Sequence, residues 1–327
     1  MDVSVVIPTF NRYELLQQTL KPLLVQETTA HYDLNFISNG STDQSTELLE
    51  SVSREHPGKV TFEWIEPTGG PSAPRNRGIR KSKGGVVIIL DDDVLPHTDL
   101  VERHWRYHLE HPEPEAAALG HVYVPDRLLD DPMSLFHTFP YHEVENQKKL
   151  DYLHFWTCNV SFKRDFMLEN GMFSEDMLYF EDVAVAYMLE KHGMHLRYLP
   201  DARGEHLHTL KPSDIEKKGR FTGQWLYKTS KILDDVAFNR RFGIFDPRVG
   251  YPFLAWKALK RIGFRLTDNP ITRAALVLAG AKGSKRCKAS DFCNYLLFRR
   301  NMIAGYTEAR AFDKAVGAST CAEQARY

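Results

Sequence analysis

Short apolar runs alternate with helical segments through the first 115 residues, and this alternation restricts the possible fold more than any other feature. The apolar runs predict strands at residues 3–7, 34–37, 60–65 and 86–90. The segments between and after them predict helices at residues 12–24, 41–55, 74–82 and about 97–110. Strands that alternate with helices in this way predict a mostly parallel sheet covered by helices on both faces.

After residue 115 the pattern becomes less regular. Further strands are predicted at residues 116–124, 156–164 and 195–200, and further helices at residues 165–171 and 181–193. Residues 126–155 are irregular and rich in Asp, His and aromatic residues, which suits a loop region that covers a substrate. From residue 213 the chain is predicted to be mostly helical. We therefore expect an α/β, Rossmann-like domain at residues 1–212 and a helical C-terminal region at residues 213–327.

The charge of the chain is divided unevenly although the formal net charge is −1. Residues 1–210 hold 19 Lys and Arg against 33 Asp and Glu, whereas residues 211–310 hold 21 against 8. A basic helical extension predicts a solvated surface that complements the acidic body, a contact with an anionic acceptor or an anionic membrane surface, or a homodimer contact. The segment FLAWKALKRIGF (253–264) fits either an interfacial helix or a buried packing face. No nucleic-acid partner is expected.

The cysteines and the chain start bear on location. The four cysteines have neither zinc-ligand nor CxxC spacing, so they are predicted to be free thiols in a reducing compartment. The first residues run directly into a strand without a signal-peptide layout, and no uncharged apolar run approaches the roughly 20 residues that span a bilayer. We expect a cytoplasmic protein, associated at most with the cytoplasmic face of a membrane.

In the stretch VVIILDDDVLP (86–96), a predicted buried strand is followed directly by three aspartates. Like charges repel unless a cation is present, and Mg²⁺ or Mn²⁺ is held by such carboxylates together with substrate phosphates. Alternation along an extended chain would send Asp91 and Asp93 to one side and Asp92 to the other. This pattern predicts Asp93 on a metal ion and Asp91 either near a ribose or behind the ligands of the metal, whereas solvated loop aspartates are the structural alternative.

A Gly-rich, basic stretch, GPSAPRNRGIRKSKGG (70–85), precedes this strand. Basic residues beside a carboxylate–metal site suit a nucleotide diphosphate. Arg75 and Asn76, at the predicted helix start, are the functional candidates, whereas the basic residues that follow them are expected to be solvated.

Four motifs together resemble those of the inverting family 2 glycosyltransferases, which have the GT-A fold. They are VSVVIPTFNR, NGSTDQST, APRNRGI with GGVVIILDDDVLP, and FEDVAVAYMLEKHG, and the resemblance covers roughly residues 1–210. It implies a nucleotide-sugar donor, a divalent metal at the D-x-D motif and direct displacement at the anomeric carbon. It also implies a nucleotide-sugar half at about residues 1–115 and an acceptor half at about residues 116–212.

The resemblance assigns roles to individual positions. Asp182 would be the general base, with Glu181 beside it as the other member of the catalytic pair, and Trp156 and Asn159 would lie on the acceptor side. Asp93 and Asp91 would be metal ligands. Apart from the resemblance, GEHLH (204–208) follows the last predicted strand, and His206 is expected to supply a further metal ligand through neutral imidazole. The residues expected to bind the nucleotide sugar are Pro8, Thr9, Phe10, Arg12, Asn39, Gly40, Arg75, Asn76, Asp91 and Asp92.

Several points stay open in the sequence. The family commonly has an aspartate that reads uracil where this chain has Asn39, so a UDP-sugar is favoured while TDP and GDP remain possible. Only one of His206 and His208 can face the site, and either can be a plain loop histidine; Trp156 can equally be a core residue. The acceptor can be a glycan, a lipid-linked precursor or a small molecule. The alternative functions are a sugar-nucleotide nucleotidyltransferase, a metal hydrolase or a non-catalytic nucleotide-sugar-binding protein.

Overall fold

The computed structural model describes residues 1–131, 139–147, 149–207, 214–248, 270–281 and 288–324. The chain divides into two compact units. The first comprises Met1–Leu128 with Leu135–His208, and the second comprises Leu129–Ser134 with Thr209–Tyr327.

The first unit is built on a mixed sheet. Its strands are β1 (Val3–Thr9), β2 (Tyr32–Asn39), β3 (Val60–Ile65), β4 (Val86–Leu90), β5 (Val94–Pro96), β6 (Ala116–Tyr123), β7 (Asn159–Lys163) and β8 (His195–His206). Their order is β3-β2-β1-β4-β7-β6-β8-β5. The pairs within β3-β2-β1-β4 and the pair β6-β8 are parallel, while β7 is antiparallel to both its neighbours and β5 is antiparallel to β8. The expected Rossmann-like, mostly parallel sheet is confirmed.

Helices cover this sheet. They are α1 (Tyr13–Leu24), α2 (Ser45–Glu55), α3 (Ser72–Lys81), α4 (Leu100–Glu110), α5 (Arg164–Asn170) and α6 (Glu181–Lys191). Val5, Ile7, Phe36 and Ile88 have no more than 1% exposure, which explains why the central strands read as continuous apolar runs. Helix α3 packs closely on β1, since a Cβ atom added to Gly78 would lie 2.3 Å from Cγ1 of Val6. This contact places the start of α3 beside the carboxyl ends of the strands.

Several predicted element limits differ from the structure by one to three residues, and three local features differ more. The three-residue strand β5 was not predicted, and β8 continues to His206 instead of ending at residue 200. Pairing explains both differences, because Val94 lies opposite His206 and Pro96 lies opposite Gly204. Helix α2 begins at Ser45, four residues later than predicted, and Oδ1 of Asp43 accepts a hydrogen bond from the backbone N–H of Ser45 at 3.0 Å.

In the second unit the described chain is helical. Its helices are α7 (Asp214–Leu233), α8 (Val236–Phe242), α9 (Pro270–Ala281) and α10 (Lys288–Gln324). Glycines let α7 and α10 touch through their backbones, because a Cβ atom on Gly223 would lie 1.9 Å from the Met302 oxygen and one on Gly305 would lie 2.0 Å from the Arg220 oxygen. Among the helices of the described ranges, none combines the length and apolar character needed to cross a membrane. The segment 253–264 and His208 lie outside the described residues.

Candidate functional site

A tight turn holds the three aspartates at the end of β4. The backbone N–H of Asp91 donates to the Cys158 oxygen at 3.2 Å, and that of Val94 donates to the Asp91 oxygen at 3.1 Å. Because residues 91–93 lie in a turn and not in an extended strand, the predicted alternation of their side chains is wrong. All three aspartates line the same cavity, with Asp92 and Asp93 buried and Asp91 about one third exposed.

This cavity has a volume of about 420 Å³. Its walls come from the ends of β1, β2 and β4, the loop after β3 and the start of α3, as expected for a ligand site at the carboxyl edge of a parallel sheet. The lining residues are Pro8, Thr9, Phe10, Arg12, Asn39, Pro67, Thr68, Gly69, Gly70, Pro71, Pro74, Arg75, Asp91, Asp92 and Asp93.

Charge in the cavity is concentrated at the acidic turn. Nε of Arg12 lies 3.4 Å from Oδ1 of Asp92, and its Nη2 lies 3.8 Å from Oδ2 of Asp93. Burial raises the pKa of Asp91 to about 6, although the nearby Arg75 charge opposes the shift. Burial, followed by the charge of Asp93, raises the pKa of Asp92 to about 7. Three carboxyl groups face two arginines, and one of these, Arg75, also contacts Glu181. A bound cation would compensate this excess of acidic groups and would favour their ionised forms.

The donor atoms at the turn fit a divalent ion. Nε2 of His206 lies 3.3 Å from Oδ1 of Asp93, so imidazole and carboxylate are available together with Asp91. Within the part of the chain that the structure describes, no three or more His, Cys, Asp or Glu side chains are grouped closely enough to enclose a metal ion. Mg²⁺ and Mn²⁺ bind through one or two carboxylates and complete their coordination with water and phosphate oxygens, so an incomplete protein shell suits them.

Arg75 joins the acidic turn to a second pair of acids at the start of α6. Its side chain is 6% exposed; Nη1 donates to Oε1 of Glu181 at 2.5 Å and Nη2 lies 3.5 Å from Oδ1 of Asp91. The sequence analysis placed Arg75 among the residues that bind the nucleotide sugar, and it does line the cavity, but its guanidinium contacts these two carboxylates. A buried cation shared in this way fixes the distance between the two acidic groups.

Asp182 follows Glu181 in the first turn of α6 and is not one of the residues that line the cavity. Its Oδ1 accepts a hydrogen bond from the backbone N–H of Val183 at 2.8 Å. Burial, followed by the negative charge of Glu181, raises the pKa of Asp182 to about 7, while the Arg75 charge lowers it. A carboxyl group with a pKa near neutrality is suited to accept a proton from a substrate.

Asn39 braces one wall of the cavity. Its Oδ1 accepts from the backbone N–H of Thr68 at 2.8 Å and from its hydroxyl at 2.9 Å, and its Nδ2 donates to the Thr68 and Gly70 oxygens, both at 3.2 Å. Gly40 has a φ of +77°, and a Cβ atom there would lie 2.6 Å from Cβ of Pro67. The role of Asn39 in reading a base stays a prediction, and its amide already holds this loop.

Three other candidates, Asn76, Asn159 and Trp156, are not among the residues that line the cavity. Asn76 is buried and hydrogen-bonds Phe173 and Glu175. Asn159 is fully buried between Nε2 of His104 (2.9 Å) and the Ala202 oxygen (2.9 Å). Burial lowers the pKa of His104 to about 4, so this network holds a neutral imidazole.

Trp156 is 5% exposed and stacks on Phe139 at a ring distance of 4.8 Å. Its Nε1 donates to the Leu153 oxygen at 3.0 Å. These contacts are those of a core residue, which was the alternative that the sequence left open. Sequence reasoning also missed the loop 67–70 as a wall of the cavity, although its Pro-Thr-Gly-Gly turn sequence after β3 was a usable signal.

Comparison with known proteins identifies the family. The model of the family described as Glycosyl transferase family 2 matches residues 4–169, about half of the chain, and the chain belongs to this family. It is therefore a glycosyltransferase.

Two curated relatives illustrate the likeness. The chain is 36% identical over 107 residues to poly(ribitol-phosphate) beta-N-acetylglucosaminyltransferase TarP of Staphylococcus aureus, covering 32% of each chain. It is 29% identical over 223 residues to validoxylamine A glucosyltransferase of Streptomyces hygroscopicus subsp. jinggangensis, covering 59% of this chain and 52% of that protein. The matched part of this chain thus spans about half or less of the length of these relatives.

Solved structures share the fold. S. aureus TarS 1-349 in complex with UDP aligns with a TM-score of 0.55 and 16% identity, over 96% of this chain and 92% of that chain. The mannosyltransferase PcManGT of Pyrobaculum calidifontis, with GDP-Man and Mn²⁺, aligns with a TM-score of 0.57 and 17% identity, over 95% and 87%. The expected GT-A-type fold is confirmed by these similarities.

Proposed function

We propose that this glycosyltransferase moves a sugar from a nucleotide diphosphate to an acceptor hydroxyl with inversion, assisted by a divalent metal, and that Asp182 is the general base. The observation that carries the proposal is the pair of separate acidic groups, Asp91–Asp93 and Glu181–Asp182, held together by the buried Arg75. Direct displacement needs a base near the acceptor and a positive site near the leaving diphosphate, and these must be distinct.

Asp182 supports the first part of this chemistry, which is the activation of the acceptor hydroxyl. A sugar hydroxyl is a poor nucleophile, so a carboxylate that accepts its proton as the new bond forms lowers the barrier. The raised pKa of Asp182 makes its carboxylate a stronger base than an exposed aspartate. With a single displacement, the anomeric centre inverts.

The acidic turn Asp91–Asp93 supports the second part, which is the departure of the nucleotide diphosphate. Asp93, together with Asp91 or His206, would hold Mn²⁺ or Mg²⁺, and water and phosphate oxygens would complete the coordination. The Arg12 guanidinium beside Asp92 would face the diphosphate. The ion, when bound, neutralises the charge that develops on the leaving diphosphate.

The nucleoside would lie at the other end of the cavity, between Pro8 and Phe10 and the loop 67–70. The Phe10 side chain, 53% exposed, offers an aromatic face at the cavity mouth. UDP is favoured by the family resemblance and by the neighbour that holds UDP, and the neighbour with GDP-Man makes GDP the second candidate, ahead of TDP.

The acceptor class is proposed as a glycan, a lipid-linked precursor or a small hydroxyl compound. One relative is named for poly(ribitol-phosphate) and another for validoxylamine A, which illustrates how wide this range is. Contact of the basic region 213–327 with a membrane surface or with a second copy of the chain remains a proposal, as do the two functional halves of residues 1–212.

A nucleotide panel tests the proposal. Thermal shifts with UDP, GDP and TDP, each with and without Mn²⁺, should show one nucleotide that stabilises the protein in a metal-dependent way. The corresponding sugar nucleotides are then incubated with acceptor hydroxyls, and NMR of the product should show the inverted anomeric configuration. Release of pyrophosphate would instead indicate a nucleotidyltransferase, and a retained configuration would remove Asp182 from the role of base.

A further inference from the structure

The start of α3 lies between a wall of the cavity and the segment that leads to Asp182. We name residues 67–71 the donor loop and residues 171–180 the catalytic segment. We propose that α3 couples these two segments and that Asn76 is a positioning residue that sets the place of the general base. This inference rests on the proposed function, because it assigns Asp182 that role.

Asn76 uses its whole amide on the catalytic segment. Its Nδ2 donates to the Phe173 oxygen at 2.8 Å and to Oε1 of Glu175 at 2.9 Å, and its Oδ1 accepts from the backbone N–H of Phe173 at 3.0 Å. Asn76 is 2% exposed and Phe173 is equally buried, so water does not readily replace these bonds. They tie α3 to a segment 97 residues further along the chain.

The donor loop touches the same segment. A Cβ atom added to Gly69 would lie 2.8 Å from Cδ2 of Leu178, and one added to Gly70 would lie 3.2 Å from its Cα. The hydroxyl of Ser72, at the start of α3, donates to the Met177 oxygen at 3.4 Å. Asn39 holds the donor loop through Thr68, and Gly69 and Gly70 of the loop lie against Leu178. A shift of the loop toward the catalytic segment would therefore move Leu178.

The catalytic segment ends in a strained residue. Phe180 has φ 59° and ψ 20°, a left-handed conformation that is unfavourable for a bulky aromatic residue. It directly precedes Glu181 and Asp182, so its backbone angles set the direction in which α6 begins. Such a conformation persists only when surrounding contacts impose it, and the contacts of Asn76 and Leu178 lie within a few residues of it.

Asn76→Ala separates positioning from donor binding. The substitution leaves every cavity-lining residue in place, so the Kd for UDP with Mn²⁺ should stay within about twofold. Loss of the three hydrogen bonds should let Asp182 move, and a displacement of about 1 Å can lower kcat by roughly 10²-fold. Activity is measured well below the melting temperature, with kcat and KM obtained separately.

A matched control is Thr61→Val, which removes the hydrogen bond between Oγ1 of Thr61 and Oδ1 of Asn35 on β3 and β2. It should lower the melting temperature without changing kcat. If Asn76→Ala lowers the melting temperature to a similar degree and leaves kcat unchanged, Asn76 only stabilises the fold and the inference is wrong.

Hydrogen exchange tests the coupling without an activity assay. In the wild-type protein, UDP with Mn²⁺ should slow exchange in both the donor loop and the catalytic segment; in Asn76→Ala it should protect the donor loop alone. Absence of protection in both segments of the wild type would contradict the proposed donor, whereas protection confined to the donor loop in the wild type would contradict the coupling.

A second pair of substitutions tests the contact between the donor loop and the catalytic segment. Gly69→Ala should displace Leu178 and lower kcat, and adding Leu178→Ala should recover much of that loss by making room for the new methyl group. Additive losses in the double variant would show that the two residues do not communicate.

Discussion

The turnover of this enzyme should depend on pH through Asp182. Burial and the charge of Glu181 raise the pKa of Asp182 to about 7, whereas an exposed aspartate titrates near 4. A general base acts only when deprotonated, so kcat should rise with pH below 7 and level off above it. The groups that face this carboxyl are Glu181, Arg75 and Asp91.

The size of the effect follows from the pKa. At pH 6 about one tenth of a group with a pKa near 7 is deprotonated, so kcat should be roughly tenfold below its plateau. An unperturbed aspartate would give a flat profile from pH 5.5 upward. Asp182→Asn should lower kcat by about 10²- to 10⁴-fold at every pH, because the amide cannot accept the proton, while the Kd for UDP stays nearly unchanged.

The assay is product formation by mass spectrometry at saturating donor and acceptor. Because metal affinity also falls as ligands are protonated, Mn²⁺ must be shown to saturate at each pH. Glu181→Gln provides the specific control, since removing its negative charge should move the midpoint of the profile to lower pH. A profile that is flat between pH 5.5 and 7.5, with the chemical step shown to limit the rate, would refute the assignment, as would an upward shift in Glu181→Gln.

Three further outcomes follow from the structure. Asp93→Ala should abolish the dependence of UDP affinity on Mn²⁺ in calorimetry, and unchanged Mn²⁺-linked affinity would exclude Asp93 as a ligand. Asn39→Asp should lower the free energy of unfolding in urea by about 1–3 kcal/mol, because a carboxylate would face the Thr68 and Gly70 oxygens without a hydrogen to donate; equal stability would contradict the bracing role. Burial lowers the pKa of His104 to about 4, whereas the same histidine in the unfolded chain titrates near 6.5. As the pH falls below 6.5, the unfolded chain therefore binds a proton that the folded protein does not, and the free energy of unfolding should fall by about 2 kcal/mol by pH 5. His104→Gln should weaken this dependence in urea titrations, and an unchanged pH slope would show that other groups cause it.

Strand positions in the first unit were readable from the sequence because the apolar runs of β1, β2 and β4 are buried on both faces, and helical segments separate the runs. The predicted limits of β3 and β4 agree with the structure, since turn-forming residues close both runs. By contrast, β5 has three residues and contains Pro96, and β8 passes through Pro200 and Gly204, so local patterns argue against strands there. Tertiary pairing makes them extended: β5 pairs with the end of β8, and that same end of β8 also pairs with β6.

Site residues were harder to place than strands. The aspartates and the cavity residues of β1 could be selected because they follow buried strands. The partners of an asparagine, however, are chosen by tertiary contacts: Asn76 meets Phe173, and Asn159 meets His104 and Ala202, all far away in the sequence. The same limit applies to Arg75, whose partner Glu181 lies 106 residues further on. Sequence patterns identified these residue types but not their partners.

The glycine contacts between α7 and α10 have a consequence for how this C-terminal unit can diverge. Where Gly223 and Gly305 bring main-chain atoms together, even a methyl group has no space. A descendant that acquires a side chain at either position must spread its helices apart or slide one along the other, so substitutions there should come in compensating sets. Such paired changes would give a practical signature for recognising distant members that keep this helical arrangement.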